Sequence, residues 1–290
     1  MEYFLQQTLS GLATGAIYAS IALAVVMIYQ AIDHFNFAQG EMAMFSCFIA
    51  WQLIMWGVPY WAAFFATIVL SFVGGIAIER IVFAPIHNAP VLSHIVVFIA
   101  LFQIFNATAG FIWEFTIKVF PSPFPEKMPF ETKLIGMHEV GVFGVTLVML
   151  LMIYLFFKYT SVGLAMRAAA ASPESARLVG INVGWMLSLG WGLAAAIGAV
   201  AGMMIAPIVY LEPNMMLFIL LYGFAGAVVG GLTSPLGAVL GGFLMGVLEN
   251  LAGAYIIGSE LKLTFALVVI VLILIFKPAG LLGRVVVQRV

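Results

Sequence analysis

An all-α, polytopic transmembrane bundle is the fold class this sequence predicts. Charge is scarce, apolar runs of spanning length follow one another along the chain, and none of those runs alternates between apolar and polar. Only 8% of the 290 residues are charged and 64% are hydrophobic, with a mean hydropathy of +1.19, where a soluble domain carries about 25% charge. A bilayer core about 30 Å thick needs roughly 20 apolar residues per helical crossing. Continuous apolarity over such lengths excludes an outer-membrane barrel, whose strands alternate over about ten residues.

The runs fall near residues 9–29, 42–57, 60–79, 94–113, 140–157, 185–209, 217–232, 235–257 and 262–276. The first belongs to an amino terminus, MEYFLQQTLSGLATG, that has neither the cationic start nor the small-residue cleavage site of a secretory signal, so this segment is expected to stay as a working helix. The second is short, starts at Glu41 and is followed by Gly57 and Pro59, so it reads either as a crossing or as a broken, re-entrant segment. The expectation is therefore eight or nine membrane segments.

Basic residues set the orientation, because cytoplasmic loops near span ends are enriched in Lys and Arg. Seven of them, Arg80, Lys158, Arg167, Arg177, Lys277, Arg284 and Arg289, fall on one face. Four, Lys118, Lys127, Lys133 and Lys262, fall on the other, mostly in a loop that also carries Glu114, Glu126, Glu131 and Glu139. The first face is assigned to the cytoplasm from the third segment onward. The side of the amino terminus depends on whether the second segment crosses, and stays open.

Two loops are longer than the turns elsewhere. The outer one, about residues 114–139, holds Pro121, Pro123, Pro125 and Pro129, which favour an irregular path. It reads equally as a docking surface for an extracytoplasmic partner or as a solvated cap. The inner one, about residues 159–184, reads TSVGLAMRAAAASPESARLVGINVGW. Ala165 to Ala171 is a strong helix former, Ser172-Pro173-Glu174 restarts a helix with Ser172 as N-cap, and Gly180 is a C-terminal stop. Two short helices in a cytoplasmic loop suit presentation of a knob to another protein; a plain amphipathic surface helix is the competing reading.

Four stretches carry a family resemblance: GAIYASIALAVVMIYQAIDHFNFAQGEMAMF from Gly15 to Phe45, ERIVFAPIHNAPVLSHIV from Glu79, the inner loop just quoted, and GGLTSPLGAVLGGFLMGVLEN from Gly230 with the closing FKPAGLLG from Phe276. The chain resembles the permeases of branched-chain amino acid ABC importers, in particular the first, LivH-type, of their two paralogous membrane subunits. The resemblance implies a single transmembrane permease domain over residues 1–290, in the inner membrane of a bacterium. Implied partners are a paralogous permease subunit, two ATPase subunits and an extracytoplasmic solute-binding protein that largely sets the substrate, with membrane lipid around them. It also implies that Arg167, Ala168, Glu174, Ala176, Arg177, Gly180 and Ile181 belong to a coupling helix that docks in a groove of the ATPase.

No motor is written in the chain itself. A phosphate-binding loop needs Gly-Lys-Ser/Thr, and no lysine here follows a glycine. His34, His87, His94 and His138 never stand four apart, no GxSxG elbow occurs, and Cys47 has no second cysteine to pair with and reads as a small packing residue. Neither an enzyme nor a cofactor or metal site is expected, and a net charge of −1 leaves no basic surface for nucleic acid.

Polar residues inside apolar sequence mark two candidate places on the translocation path. Asn36, Gln39, Gly40 and Glu41 lie together at the start of the short second segment, and Glu249 and Asn250 lie inside the eighth. Polar groups at membrane depth are costly and tend to line cavities or broken helices. The alternative for Glu41 is an interfacial helix start favoured by the dipole; for Glu249 it is the end of a shorter span. Glycines at spacing four, Gly226/Gly230, Gly237/Gly241, Gly242/Gly246, Gly11/Gly15 and Gly198/Gly202, predict tight helix packing within the chain or against a partner subunit. A self-contained secondary transporter or channel for small solutes, using Glu41 and Glu249 as coupling-ion acids, is the competing function, and it leaves the inner loop without a task.

Overall fold

A computed structural model of the chain describes residues 1–32, 34–87, 89–125 and 135–283. Among them the only extended pairing is an isolated bridge between Lys118 and Leu211. The described residues form eleven α-helices: α1 (Glu2–Ile32), α2 (Gln39–Met55), α3 (Tyr60–Ile78), α4 (Val91–Trp113), α5 (Met137–Tyr159), α6 (Ser161–Ala171), α7 (Pro173–Leu178), α8 (Val183–Val209), α9 (Met216–Gly230), α10 (Pro235–Ala252) and α11 (Lys262–Phe276). The fold is all-α and polytopic, and each of the nine apolar runs is helical.

Among the described residues, seven helices are long and apolar enough to cross a membrane: α1, α3, α4, α5, α8, α10 and α11. Both α3 and α10 are lengthened by a π-helical turn, Glu79–Phe83 and Gly253–Ile257. The other two runs give short helices. The 17 residues of α2 and 15 of α9 rise about 26 and 22 Å at 1.5 Å per residue, less than a bilayer core of about 30 Å. Local punctuation follows the sequence: Pro59 and Pro90 precede α3 and α4, and Ser234 caps α10 by accepting a hydrogen bond from Gly237 N at 3.0 Å.

The chain divides into two compact units, one of residues 1–26, 121–144 and 217 onward, the other of residues 27–120 and 145–216. In the first, α10 lies between α1 and α9 at backbone contact. A Cβ on Gly246 would sit 2.3 Å from Gly15 Cα, and one on Gly226 2.6 Å from Gly242 Cα. In the second unit, α3 runs antiparallel to α8, where a Cβ on Gly75 would meet Trp191 O at 2.6 Å. Cys47, buried on α2, faces Gly202 of α8 in the same way, at 2.6 Å, and is the packing residue its context suggests.

These contacts decide between the two alternatives left open for the glycine repeats. The glycine repeats of α1, α9 and α10 are used within the chain, as is the Gly198/Gly202 pair against α2. They therefore carry no argument for a second membrane subunit.

Within the second unit, Gln39, Ala43 and Cys47 of α2 follow Ala194, Gly198 and Gly202 of α8 in step. The short helix thus runs parallel to α8 and starts beside the midpoint of that 27-residue helix. The end of α1 is also fixed here: His34 stacks on His94, four residues into α4, with ring centroids 5.1 Å apart. Hence α1 ends at the same end of this unit as the π-helical turn after α3 that carries Arg80.

Residues 114–125 contain no helix, in line with their prolines, and α5 starts at Met137, so the outer loop ends at Gly136 and Glu139 lies in the first turn of α5. Glu126, Lys127, Pro129, Glu131, Lys133, Arg284 and Arg289 lie outside the described residues.

Candidate functional site

At the start of α2, Asn36, Gln39 and Glu41 are all buried, the last two only 0% and 1% exposed. Asn36 shapes the entry: its Oδ1 accepts from Ala38 N at 2.9 Å and its backbone carbonyl accepts from Gln39 N at 3.3 Å. Gly40 sits between Gln39 and Glu41, buried in the first turn. Gln39 reaches α8, where its Nε2 donates to Ala194 O at 2.9 Å, and its Oε1 is a buried acceptor with no partner. The two readings of Glu41 are compatible: it lies in the first turn of a helix, as the dipole favours, and that first turn sits beside the middle of a spanning helix.

Glu41 faces Asn106 of α4. The Asn106 amide donates to Pro213 O at 2.9 Å, to Asn214 Oδ1 at 3.0 Å and to Glu41 Oε2 at 3.4 Å. An amide nitrogen has two hydrogens, so the two shorter bonds take them and Glu41 keeps only a marginal contact. Pro213 and Asn214 reach this place because α8 stops at Tyr210, whose φ of +65° and ψ of 156° turn the chain back in a region that strains any residue but glycine. Sequence reading missed Asn106 and Asn214. Asn106 had a signal, as an amide inside an apolar run; Asn214, in a connector, had none.

Glu249 and Asn250 belong to the other unit, near the end of α10. Glu249 pairs with Lys262 Nζ at 3.4 Å and hydrogen-bonds Tyr18, which stacks on Tyr222. Asn250 Oδ1 accepts from Lys262 Nζ at 2.8 Å. The carboxylate is thus held by side chains of its own unit at the first turn of α11.

The inner loop forms the expected helix pair. Thr160 caps α6 by accepting from Gly163 N, Ser172 caps α7 by accepting from Ser175 N, and Pro173 opens it. Gly180, at φ +84°, closes it: Gly180 N donates to Arg177 O and Ile181 N to Ala176 O, both at 3.0 Å, the bond pair of a Schellman stop. Ala169, Ala176 and Ile181 pack with Val183, Met186 and Leu187 of α8. Arg167, Glu174, Arg177 and Gly180 are exposed, Ala168 is half-buried, and Leu178 and Val179 are 88% and 76% exposed.

A further cluster, unforeseen from sequence, joins α3 to the first turns of α8. Ser188 donates to the buried Glu79 carboxylate, Arg80 Nε donates to Ser188 Oγ at 3.0 Å, and the Arg80 guanidinium lies 4.5 Å over the Trp185 ring. Val183, Met186 and Leu187 face the α6–α7 pair while Trp185 and Ser188 face α3, so two turns of α8 connect the exposed knob to the spanning helices. Among the described residues no group of three or more His, Cys, Asp or Glu side chains is arranged to hold a metal ion.

Residues 7–274 match the family described as branched-chain amino acid transport system, permease component. The high-affinity branched-chain amino acid transport system permease protein LivH of Escherichia coli (strain K12) is 31% identical over 99% of this chain and 98% of its own length. The corresponding protein BraD of Pseudomonas aeruginosa is 31% identical with the same coverage, 99% and 98%. No solved structure matches the chain.

Proposed function

This chain belongs to the family of permease components of branched-chain amino acid transport systems, and we propose that it is a membrane subunit of an ATP-driven importer for branched-chain amino acids or related small polar solutes. In this reading it catalyses no reaction. It works in the plasma membrane of a bacterium beside a paralogous permease, above two ATPases, and receives solute from an extracytoplasmic binding protein. The path runs past Asn36, Gln39, Gly40 and Glu41. Glu249 and Asn250, held by Lys262, support the outer ends of α10 and α11 instead of contacting solute.

The observation that carries the proposal is the α6–α7 pair. It is fixed to α8 through one face and presents Arg167, Glu174 and Arg177 beside Leu178 and Val179 on the other. Exposed apolar side chains rimmed by charge are the composition of a protein contact, and here they are assigned to the ATPase groove, with Ala168, Ala176, Gly180 and Ile181 shaping the fold beneath. A secondary transporter needs intramembrane acids for its coupling ion, and one of the two it would enlist, Glu249, is occupied by Lys262.

The test is Arg167→Glu with Arg177→Glu in the complete transporter reconstituted in vesicles. Exposed substitutions cost within about 0.5 kcal/mol of folding stability, and Arg80 and Lys158 still mark the inner face, so insertion should persist. Uptake of labelled solute and solute-stimulated ATP hydrolysis should both be lost. Normal uptake with normal stimulation would reduce the loop to a connector.

A further inference from the structure

Among the described residues, three carboxylates are buried: Glu41, Glu79 and Glu249. Glu249 has Lys262 at 3.4 Å. Glu79 accepts from Ser188, which in turn accepts from Arg80. Glu41 differs: it has no basic side chain within ion-pairing distance, and its one donor, the Asn106 amide at 3.4 Å, is committed to Pro213 O and Asn214 Oδ1 at shorter range. A second acceptor at the same helix end, Gln39 Oε1, is buried without any partner. Two buried side-chain acceptors at the start of α2 are thus left without a committed side-chain donor, where a structural polar cluster satisfies its members internally.

We infer that Glu41, backed by Asn106 and Asn214, is the point on the path that recognises the ammonium group of an α-amino acid. The inference rests on the importer reading above. An ammonium carries three donors and no acceptor, and it supplies the charge and the hydrogen bonds that Glu41 does not obtain from its own unit. Two features keep the interaction transient, as passage requires. The positive end of α2 already stabilises the carboxylate in the absence of a cation, and Asn106 is anchored by the chain at Pro213 and Asn214, so the site can lose its ligand without collapse. Its depth is also suitable, since α2 starts beside the midpoint of α8, where substrate sites of transporters with broken helices are found. With Glu41 only 1% exposed, solute reaches it when the path opens, the step assigned to the ATPases.

The experiment compares wild type, Glu41→Gln and Glu41→Asp in the complete reconstituted transporter with its binding protein, using labelled leucine, with assembly read by size-exclusion chromatography. Uptake should fall about tenfold or more in Glu41→Gln, the loss expected from removing a charge-assisted hydrogen bond, and recover in Glu41→Asp to within about threefold of wild type. Leucine uptake that is absent in wild type would overturn the branched-chain amino acid form of the importer reading, and this inference with it. Wild-type uptake with an unimpaired Glu41→Gln variant, or equal losses in Gln and Asp, would overturn this inference alone. A Glu41→Gln chain that fails to assemble while Glu41→Asp assembles would mark the carboxylate as a folding element, and would overturn it too.

Discussion

A carboxylate buried among apolar helices is held by whatever donors its neighbours carry, and the contrast between Glu41 and Glu249 shows how far that decides a residue's use. Lys262 lies thirteen residues beyond Glu249, across the turn between α10 and α11, and its Nζ reaches both Glu249 and Asn250. Removing one partner of a fully buried pair costs about 3–5 kcal/mol, mostly from stranding the other charge. The Lys262 side chain is 26% exposed, so solvent returns part of that, and Lys262→Ala is expected to cost about 1–3 kcal/mol. Thermal unfolding in detergent should register this, and adding Glu249→Gln should recover part of the loss. An unchanged melting temperature in Lys262→Ala would mean the pair is not formed. Neither this pairing nor the Asn106 contacts were legible beforehand. Sequence identified Glu41 and Glu249 as costly, but their partners stand apart in the chain, 65 residues in the case of Asn106, and only the packing of helices brings them near.

At the scale of elements, what was legible was governed by local rules. Ser172, Pro173 and Gly180 delimit α7 because capping and a positive φ depend on adjacent residues alone, and the two loops were found for the same reason. The lengths of α2 and α9 were less clear, since an apolar run does not record how many of its residues are wound into helix at membrane depth. Glycine repeats announced close packing but not the partner, which turned out to be other helices of the same unit. That distinction can be measured. In an exposed helical position Gly→Ala gains about 0.5–1 kcal/mol through reduced backbone entropy, and Gly144 on α5, with nothing within 4 Å of an added Cβ, should follow this sign. Gly246→Ala should go the other way, losing about 1–3 kcal/mol, because its Cβ would lie 2.3 Å from Gly15 Cα and 2.4 Å from Gly15 N, backbone atoms that move only if α1 and α10 separate. The two variants compared by thermal unfolding give opposite shifts if α1 and α10 touch as described, and like shifts if they do not.

For the whole molecule, the open question in the sequence was the side of the amino terminus, and the path of α1 supplies an answer. The charge bias assigns the π-helical end of α3 with Arg80, and the α6–α7 pair with Arg167 and Arg177, to the cytoplasm. Arg80 bonds Ser188 in the first turns of α8, against which α6 and α7 also pack, so these groups share one end of their unit. His34, just past the end of α1, stacks on His94 at that same end. A helix of 31 residues extends about 46 Å at 1.5 Å per residue, more than a bilayer core, so its start lies on the opposite side. The chain then returns through residues 34–38 and α2, which together make up the height that α2 alone lacks, and α3 descends again to Arg80. The prediction is an extracytoplasmic amino terminus. A single cysteine at position 2, Glu2→Cys, should react with a membrane-impermeant maleimide in intact spheroplasts, whereas Ser172→Cys in the α6–α7 pair should react only after the membrane is opened. The native Cys47 is fully buried and contributes little background. Labelling of Ser172→Cys from outside would reverse the orientation, and protection of Glu2→Cys until lysis would mean that α1 does not carry the chain across the bilayer.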